Sequence, residues 1–379
     1  IQLSVTSTTF VLPAGSNSAI NTSGSEYIYW AIAKNATNNN TLANSFKAVT
    51  YTGNSGTQAI TGVGFTPDFV WTKARNEANY SHFLSDSIRG GDKVLQSNST
   101  AAEITRANNI QSFDSDGFTL GADGTSNYSN TTYAAWCWKA GNTWQSNIDG
   151  TIPSLTNTNT ANGFSIVKWT GAGGTSTLGH GLSAAPELII NKRLSGSNSW
   201  DFWVTGATAI GWDKFLGLNR TDAEADGFNN TPFGDTAPTS TVFTVDSDSG
   251  AGIGGSGDEF ISYCWHSVTG YSKIGSYTGG GNTNPTINVG FAPDWLMVKK
   301  ATGTATGSTG WTMVDSARHP GTPTYDNGNV LYADDNLAEQ DDDNERGFII
   351  TSTGFSPNGN YFSTNNSGDT YIYMAFKMN

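Results

Sequence analysis

Ser276-Tyr277-Thr278-Gly279, followed by Gly290-Phe291-Ala292-Pro293-Asp294-Trp295-Leu296-Met297-Val298-Lys299, decides the fold because the same pattern recurs in the chain. An earlier copy is Thr50-Tyr51-Thr52-Gly53 with Gly64-Phe65-Thr66-Pro67-Asp68-Phe69-Val70-Trp71-Thr72-Lys73. A weaker copy is Lys168-Trp169-Thr170-Gly171 with Ala185-Pro186-Glu187-Leu188-Ile189-Ile190-Asn191-Lys192. In each copy the lysine stands six residues after the proline. The sequence therefore predicts an array of one repeated module.

A second pattern closes each module. It is Tyr133-Ala134-Ala135-Trp136-Cys137-Trp138-Lys139, Phe260-Ile261-Ser262-Tyr263-Cys264-Trp265-His266 and Tyr371-Ile372-Tyr373-Met374-Ala375-Phe376-Lys377. Side chains alternate between two faces with a period of two residues, which predicts a strand. One face carries the large apolar residues Trp136 and Trp138, Tyr263 and Trp265, or Met374 and Phe376, and we expect that face to be core.

These two patterns predict the domain organisation. Module 1 spans residues 46–141, module 2 spans 162–269 and module 3 spans 270–379. The Thr/Asn/Ser-rich segment 142–161 is interpreted as a linker. Residues 1–45 are interpreted as the C-terminal half of a preceding module, because Tyr27–Lys34 repeats the closing pattern without an opening half before it. Module 3 follows module 2 almost without a spacer, which predicts a packed interface.

The composition predicts an all-β fold. Aromatic residues make up 12% of the chain and charged residues only 13%, with 45 glycines. A disordered chain would lack so many aromatics, and short alternating segments between Gly, Asn, Asp and Thr clusters are typical of strands and turns. About 100 residues of such strands suit an antiparallel β-sandwich, so we expect tandem sandwich modules of jelly-roll or lectin-like type.

Charge and cysteine content narrow the functional classes. The net charge of -13 argues against nucleic acid and anionic membranes as partners. No apolar run approaches the roughly 18 to 20 residues of a membrane span, so we expect no membrane insertion. The two cysteines, Cys137 and Cys264, occupy the same position in separate modules. We expect them to lie too far apart for a disulfide and to be free.

Two charged patterns have both a chemical and a structural interpretation. Asp86-Ser87-Ile88-Arg89 and Asp315-Ser316-Ala317-Arg318 match between modules 1 and 3, whereas module 2 has Val204-Thr205-Gly206 there. An acid with an arginine clamp is the catalytic interpretation. A local turn with an Asp–Arg pair is the structural one, and we favour it. The run Glu339–Glu345 could bind calcium through carboxylates, but it lacks EF-hand spacing. We otherwise predict no cofactor.

Loop aromatics are the candidates for ligand binding. The densest group is Trp200, Trp203 and Trp212 beside Asp201 and Asp213. Aromatic faces next to carboxylates suit stacking on sugar rings with hydrogen bonds to hydroxyls, and neutral glycans need no positive charge. The sequence therefore predicts a glycan site at these five residues. Packing between modules is the alternative for each tryptophan.

The chain resembles a repeat family of phages, marine ones especially, that comprises tail-fibre-like and other virion surface proteins. The resemblance lies in Gly163–Val167, Gly179–Leu182 with Pro186, Gly275–Gly279, Ile349–Phe355 and the closing strand Tyr371–Lys377. It implies a non-enzymatic structural or receptor-binding component of the virion surface, assembled in the host cytoplasm and exposed outside the cell. Other virion proteins and host-surface glycans would be its partners. It supplies no catalytic residues.

Two other functions stay open from the sequence. A secreted bacterial adhesin shares every argument except the resemblance. A carbohydrate-active enzyme on a lectin-like sandwich would need paired carboxylates facing each other in a groove. Repetition favours attachment over catalysis, because several weak sites add through avidity whereas catalysis needs one. The half-module in residues 1–34 would leave open strand edges, so we also expect self-association, most simply a trimer.

Overall fold

The computed structural model describes residues 4–5, 10–11, 45–197, 201–204, 210–211, 214–223, 225–226, 232–247, 252–302, 310–319, 324–327, 329–340 and 343–378. All regular elements in these residues are β-strands, numbered β1 to β30 along the chain. The all-β prediction is therefore confirmed. In the same residues no helix has the length and apolar composition needed to cross a membrane.

The chain divides into two compact units, Ile1–Asn39 and Asn40–Asn379. In the first unit, β1 (Ser4–Val5) pairs with β2 (Phe10–Val11) in antiparallel orientation. The predicted closing strand Tyr27–Lys34 lies outside the described residues. All three modules belong to the second unit.

Module 1 is an antiparallel sandwich of two sheets. The larger sheet, in spatial order, is β3 (Phe46–Thr52), β11 (Thr132–Trp138), β5 (Phe69–Ala74), β6 (Phe83–Asp86), β7 (Gly90–Leu95) and β8 (Ile104–Thr105). The smaller sheet is β4 (Gln58–Ile60), β10 (Gly117–Leu120) and β9 (Ile110–Asp114). Val70 and Cys137 of the first sheet pack against Phe118 and Leu120 of the second, which forms the sandwich interior.

Module 2 repeats this order and extends it. Its larger sheet is β12 (Gln145–Asn147), β13 (Ser154–Asn159), β14 (Phe164–Thr170), β21 (Glu259–Trp265), β16 (Leu188–Arg193), β17 (Asp201–Val204), β18 (Lys214–Gly217) and β19 (Ala225–Asp226). The smaller sheet is β15 (Thr175–Gly179) with β20 (Val242–Asp246). Cys264 and Phe243 meet in the sandwich interior.

Module 3 has the same arrangement. Its larger sheet is β22 (Ser272–Thr278), β30 (Thr370–Phe376), β24 (Trp295–Lys300), β25 (Thr312–Asp315) and β27 (Leu331–Tyr332). The smaller sheet is β23 (Ile287–Asn288), β29 (Gly354–Pro357), β28 (Asp343–Thr351) and β26 (Thr324–Asn327). The closing strands β11, β21 and β30 thus hold equivalent central positions in the three sheets.

The segment 142–161 is not the linker that its composition suggested. It contains β12 and β13, and β13 pairs with β14 along its whole length. Thr, Ser and Asn are common in turns, but here their side chains form hydrogen bonds on the sheet, as when Ser154 Oγ donates to the Gly179 carbonyl at 2.8 Å. Asn157 Nδ2 also reaches Asp68 Oδ1 of module 1 at 3.0 Å. The segment therefore joins modules 1 and 2 as an ordered part of the larger sheet of module 2.

Each closing strand is buried on both faces. Cys137 lies in the sandwich interior of module 1, whereas Trp136 and Trp138 lie on the opposite face in a cluster that includes residues of all three modules. We call this cluster the shared core. Its members include Phe46, Phe69, Trp71, Trp136, Trp138, Phe164, Leu188, Tyr263, Trp265, Trp295, Met297, Met374 and Phe376.

The shared core explains why the aromatic face recurs in every module. The Phe69 and Tyr263 rings join modules 1 and 2 with centroids 4.5 Å apart, and the Phe46 and Phe376 rings join modules 1 and 3 at 5.1 Å. The packed interface between modules is therefore confirmed. The core prediction was right about burial but assigned these side chains to single modules, whereas they pack between modules.

Candidate functional site

The predicted glycan site lies mostly outside the described residues. Trp200, Trp212 and Asp213 are in that part of the chain. Asp201 and Trp203 lie in β17, where their backbones pair with Asn191 and Ile189 of β16. The glycan prediction therefore stays a prediction.

The described residues also form an open groove on module 2, of about 440 Å³. It is lined by Ile152, Pro153, Ser154, Leu155, Lys168, Trp169, Thr170 and Ala172. The Trp169 side chain is only 3% exposed and donates its indole N–H to Ser262 Oγ at 3.0 Å. Because a sugar needs an accessible aromatic face to stack on, this groove does not supply the predicted site.

The clearest repeated side-chain arrangement is a set of three buried lysines. Lys73, Lys192 and Lys299 end the repeated pattern, and each is at most 1% exposed. Each side chain crosses to a neighbouring module and donates to a backbone carbonyl: Lys192 to Thr100 at 3.0 Å, Lys299 to Thr221 at 2.8 Å and Lys73 to Asn336 at 3.5 Å. Module 2 thus contacts module 1, module 3 contacts module 2, and module 1 contacts module 3. Such head-to-tail contacts close a ring with approximate three-fold symmetry.

Burial changes the acidity of these lysines. Desolvation lowers the pKa of Lys73 from its ordinary 10.5 to about 8, although Asp335 and Glu339 favour its charged form. Desolvation also lowers the pKa of Lys299 to about 8, against the effect of Asp334 and Asp222. A lysine with a lowered pKa can act as a base or nucleophile, but these two side chains are enclosed between modules and meet carbonyl groups. Their role in this geometry is to join modules.

The Asp86–Arg89 pair lies at the contact between modules 1 and 2. Arg89 Nε donates to Asp86 Oδ2 at 2.6 Å, and the two side chains are 1% and 0% exposed. Tyr263 of module 2 donates its hydroxyl to the same carboxylate oxygen at 2.7 Å. The local pair that the sequence predicted is present, and it also receives a hydrogen bond from the next module.

The Asp315–Arg318 pair repeats this arrangement between modules 3 and 1. The pair is fully buried with a distance of 2.6 Å, and Trp136 of module 1 donates its indole N–H to Asp315 Oδ2 at 2.9 Å. Module 2 has Val204 where these pairs have aspartate, and Met374, which corresponds to Tyr263 and Trp136, has no N–H or O–H to donate. A contact between modules that has the aspartate acceptor therefore also has a side-chain donor, and the contact without the aspartate lacks the donor too.

The aspartate or glutamate of the repeat caps the closing strand. The backbone N–H groups of Asp68, Glu187 and Asp294 donate to the carbonyls of Trp138, Trp265 and Phe376 at 2.8, 2.7 and 2.8 Å. Their carboxylates accept the backbone N–H two residues beyond each aromatic: Ala140 at 3.0 Å, Ser267 at 2.7 Å and Met378 at 2.8 Å. These acids are occupied in holding strand ends.

One tryptophan from each module lies where the three sheets meet. Trp138 contacts Trp265 with ring centroids 6.3 Å apart and Trp295 at 5.6 Å, in both cases edge to face. Their indole N–H groups have no hydrogen-bond acceptor among the described residues. Edge to face is one of the arrangements that aromatic rings prefer, because it places a positive ring edge against a negative ring face.

His82 belongs to the contact between modules 1 and 3. Trp71 Nε1 donates to His82 Nδ1 at 2.8 Å, and His82 Nε2 lies 2.9 Å from the Tyr332 carbonyl of module 3. An indole nitrogen can only donate and a carbonyl can only accept, so the proton must be on Nε2. Burial lowers the pKa of His82 well below 6.5, and Lys73 and Arg318 lower it further.

The acidic run that could bind calcium begins with a carboxylate that is paired with arginines. Glu339, the first residue of the acidic run, lies 2.8 Å from Arg75 of module 1 and 3.0 Å from Arg318. The side chains of Asp341–Glu345 lie outside the described residues. In the rest of the chain the described His, Cys, Asp and Glu side chains form no group that could hold a metal ion.

Sequence reasoning missed the lysines and His82 as contact residues. A signal for the lysines was present, because Phe69, Trp71 and Lys73 share one face of a strand and the first two are large aromatic residues. His82 carries no comparable signal, since its partner Tyr332 is 250 residues away. The free state of Cys137 and Cys264 is confirmed.

The comparisons with known proteins cover the second unit as a whole. A family model described as "Domain of unknown function (DUF7483)" matches residues 41–379. No curated protein matches the chain. The matched region takes in all three modules and coincides closely with the compact unit Asn40–Asn379. The chain therefore belongs to the DUF7483 family.

Proposed function

We propose that this protein is a non-enzymatic structural component of a phage virion surface, tail-fibre-like or a surface fibre, that attaches to host-surface glycans. The observation that carries the proposal is the use of buried polar groups. The three lysines, the two Asp–Arg pairs and the capping acids all bind neighbouring strands or modules. Such a body is suited to rigidity and to bearing load.

The ring also bears on assembly. Fibres on a symmetric particle tend to be trimers, and this chain forms an approximately three-fold body from one polypeptide. Copies of itself, as a trimer, and other virion proteins are the proposed partners. If the chain self-associates, the contacts must use outer surfaces, because the aromatic faces are already buried in the shared core.

An enzyme acting on carbohydrate is the less favoured alternative. A glycosidase needs two carboxylates on either side of a groove, about 5 to 9 Å apart. The residues that line the module 2 groove include Lys168 and no carboxylate. A secreted adhesin remains the closer alternative, because it would use the same rigid body and the same glycan site.

Immunogold electron microscopy tests the virion assignment. Antibodies raised against residues 41–379 should label the surface of purified phage particles from the source culture, and preimmune serum should not. Labelling of bacterial cell surfaces with unlabelled particles would support the adhesin instead. Absence of label from both would reject the surface location.

A glycan array tests the binding site. The full chain, multimerised on a carrier, should bind neutral glycans, and Trp212→Ala should abolish binding without lowering the melting temperature. Phe362→Ala is the control, because Phe362 is an aromatic that is 43% exposed in module 3. Equal loss with both variants, or no glycan signal with the unchanged chain, would contradict the site.

Trp200 requires a separate test. Position 200 directly precedes β17, as His82 precedes β6 and Trp311 precedes β25. The side chains of His82 and Trp311 each bind a backbone carbonyl of a neighbouring module. This correspondence favours the packing alternative at position 200. Trp200→Ala should then lower the melting temperature, whereas a change in glycan binding alone would assign Trp200 to the site.

A further inference from the structure

Three contact surfaces hold the ring together, and one of them has no chain connection. Modules 1 and 2 are joined through β12 and β13, and modules 2 and 3 through residues 266–271. Modules 1 and 3 are the first and the last, so their contact surface is held by non-covalent interactions alone. We call it the 1–3 seam, and its polar contacts include His82, Ser97, Trp136 and Arg75 of module 1 with Tyr332, Ala333, Asp315 and Glu339 of module 3.

His82 is placed at the centre of this seam. Its side chain is fully buried, and its ring lies nearly parallel to Trp136 at 6.4 Å and perpendicular to Trp71 at 5.8 Å. Next to it, Ser97 Oγ donates to the Ala333 carbonyl at 2.5 Å. The imidazole therefore bridges a tryptophan of its own module and the backbone of module 3.

A second proton on His82 is incompatible with this arrangement. Protonation of Nδ1 would direct an N–H at the Trp71 indole N–H, so that two donors would face each other. The charged groups nearest the ring are also unfavourable: Lys73 comes from β5 of module 1 and Arg318 from the turn after β25 of module 3, and both are cationic. The acids of the seam, Asp315 and Glu339, are already bound to Arg318.

We propose that protonation of His82 in acid opens the 1–3 seam, so that the closed ring becomes a chain of modules joined only through module 2. The residues at the same chain position in the other two modules are tryptophans, which do not titrate: Trp311 donates its indole N–H to the Gly217 carbonyl of module 2 at 2.9 Å, and position 200 is a tryptophan. Among these three equivalent positions, only the one on the surface that no chain connection holds can take up a proton. This inference does not depend on the virion assignment.

The seam opens in two steps. The Trp71 hydrogen bond is lost first, because Nδ1 no longer accepts. The imidazolium must then be solvated, and the smallest movement that exposes it to water is the separation of β27, which contains Tyr332, from module 1. Once separated, Trp71 and Trp136 lose their cover from module 3, so their fluorescence emission should shift to longer wavelength.

The test uses the full chain and two matched variants. His82→Gln keeps a neutral amide with one acceptor and one donor but cannot be protonated. His180→Gln is the control, because His180 is also buried, with its pKa lowered by burial to about 4, yet it binds Leu182 and Thr239 within module 2. His82→Asn replaces His82→Gln if the longer side chain prevents folding.

Hydrogen exchange at pH 7.5 and pH 4.5, corrected for the intrinsic effect of pH, gives the readout. In the unchanged chain and in His180→Gln, exchange in peptides covering 80–98 and 329–336 should rise at least tenfold at pH 4.5, while the peptide covering 214–223 changes little. His82→Gln should lose this response in both seam peptides. An acid response that persists in His82→Gln, or one that is equal in all three peptides, would overturn the proposal.

Discussion

Trp265 shows how one side chain serves two modules. It is 2% exposed, stacks on Phe164 at 4.7 Å and meets Trp138 of module 1 edge to face. Truncation to alanine should leave a cavity in the shared core. Because all three modules line that core, the loss should destabilise the whole unit and not module 2 alone.

Trp265→Ala should lower the free energy of unfolding by about 3 to 5 kcal/mol, the usual cost of removing a large buried aromatic. Chemical denaturation measures it, with Phe362→Ala as the control at a half-exposed position, where the change should stay within about 0.5 kcal/mol. A loss below about 1 kcal/mol for Trp265→Ala would mean that the side chain is not packed as described.

The lowered pKa of Lys299 predicts an unusual dependence of the free energy of unfolding on alkaline pH. Its pKa in the folded chain is about 8, whereas an unfolded lysine keeps its proton to about 10.4. Between these values the unfolded chain binds more protons, so the free energy of unfolding should rise with pH. The gain from this lysine is on the order of 2 to 3 kcal/mol across that range.

Denaturation at pH 8, 9 and 10 tests this expectation. Lys299→Met should reduce the rise but leave the part due to Lys73, whose pKa is also lowered to about 8. Lys168→Met, at a lysine whose side chain is 33% exposed, should leave the rise unchanged. Measurements stop at pH 10, because burial raises the pKa of Tyr263 and Tyr271 and stability must fall once unfolded tyrosines ionise. Identical slopes in all three proteins would contradict the buried charge.

At the scale of single elements, the hydrogen bond from Tyr263 to Asp86 links β21 of module 2 to β6 of module 1. Tyr263→Phe leaves a buried carboxylate short of one donor, and the expected cost is about 1.5 to 3 kcal/mol. Tyr277→Phe is the matched control, since the Tyr277 hydroxyl donates to the neutral carbonyl of Thr364 inside module 3. Its expected cost is about 1 kcal/mol.

The comparison of the two variants matters more than either value. If Tyr263→Phe costs no more than Tyr277→Phe, the buried Asp–Arg pair does not depend on the neighbouring module. Equilibrium urea unfolding of both variants at pH 7 decides this.

The closing strands show what sequence can predict at this scale. Alternation identified which residues of Tyr133–Trp138 share a face, and all of these residues are buried. Alternation cannot tell what covers a face, so Trp136 and Trp138 were assigned to one module. Composition misled the interpretation of 142–161, because Thr and Asn suit polar strands at a sheet edge as well as turns.

At the scale of the whole molecule, the ring could not be predicted from sequence. The lysine at the end of each repeat is visible in the sequence, and Thr100, Thr221 and Asn336 each begin a Thr/Asn-x-Ala-Glu segment. Neither pattern tells that the lysine of one module reaches the segment of another. The candidate glycan site could be predicted only from the composition of its loops, because no repeated pattern pairs its aromatic residues with other residues. The repeated sequence pattern predicted three modules, but it did not predict that they pack together as one unit.

Residues 40–379 should unfold as one cooperative ring around the shared core, and differential scanning calorimetry of the full chain measures this. A single transition is expected for the three modules, with the calorimetric enthalpy equal to the van't Hoff enthalpy. Two or three resolved transitions, each with the enthalpy of about 100 residues, would show that the modules unfold independently and would contradict the shared core.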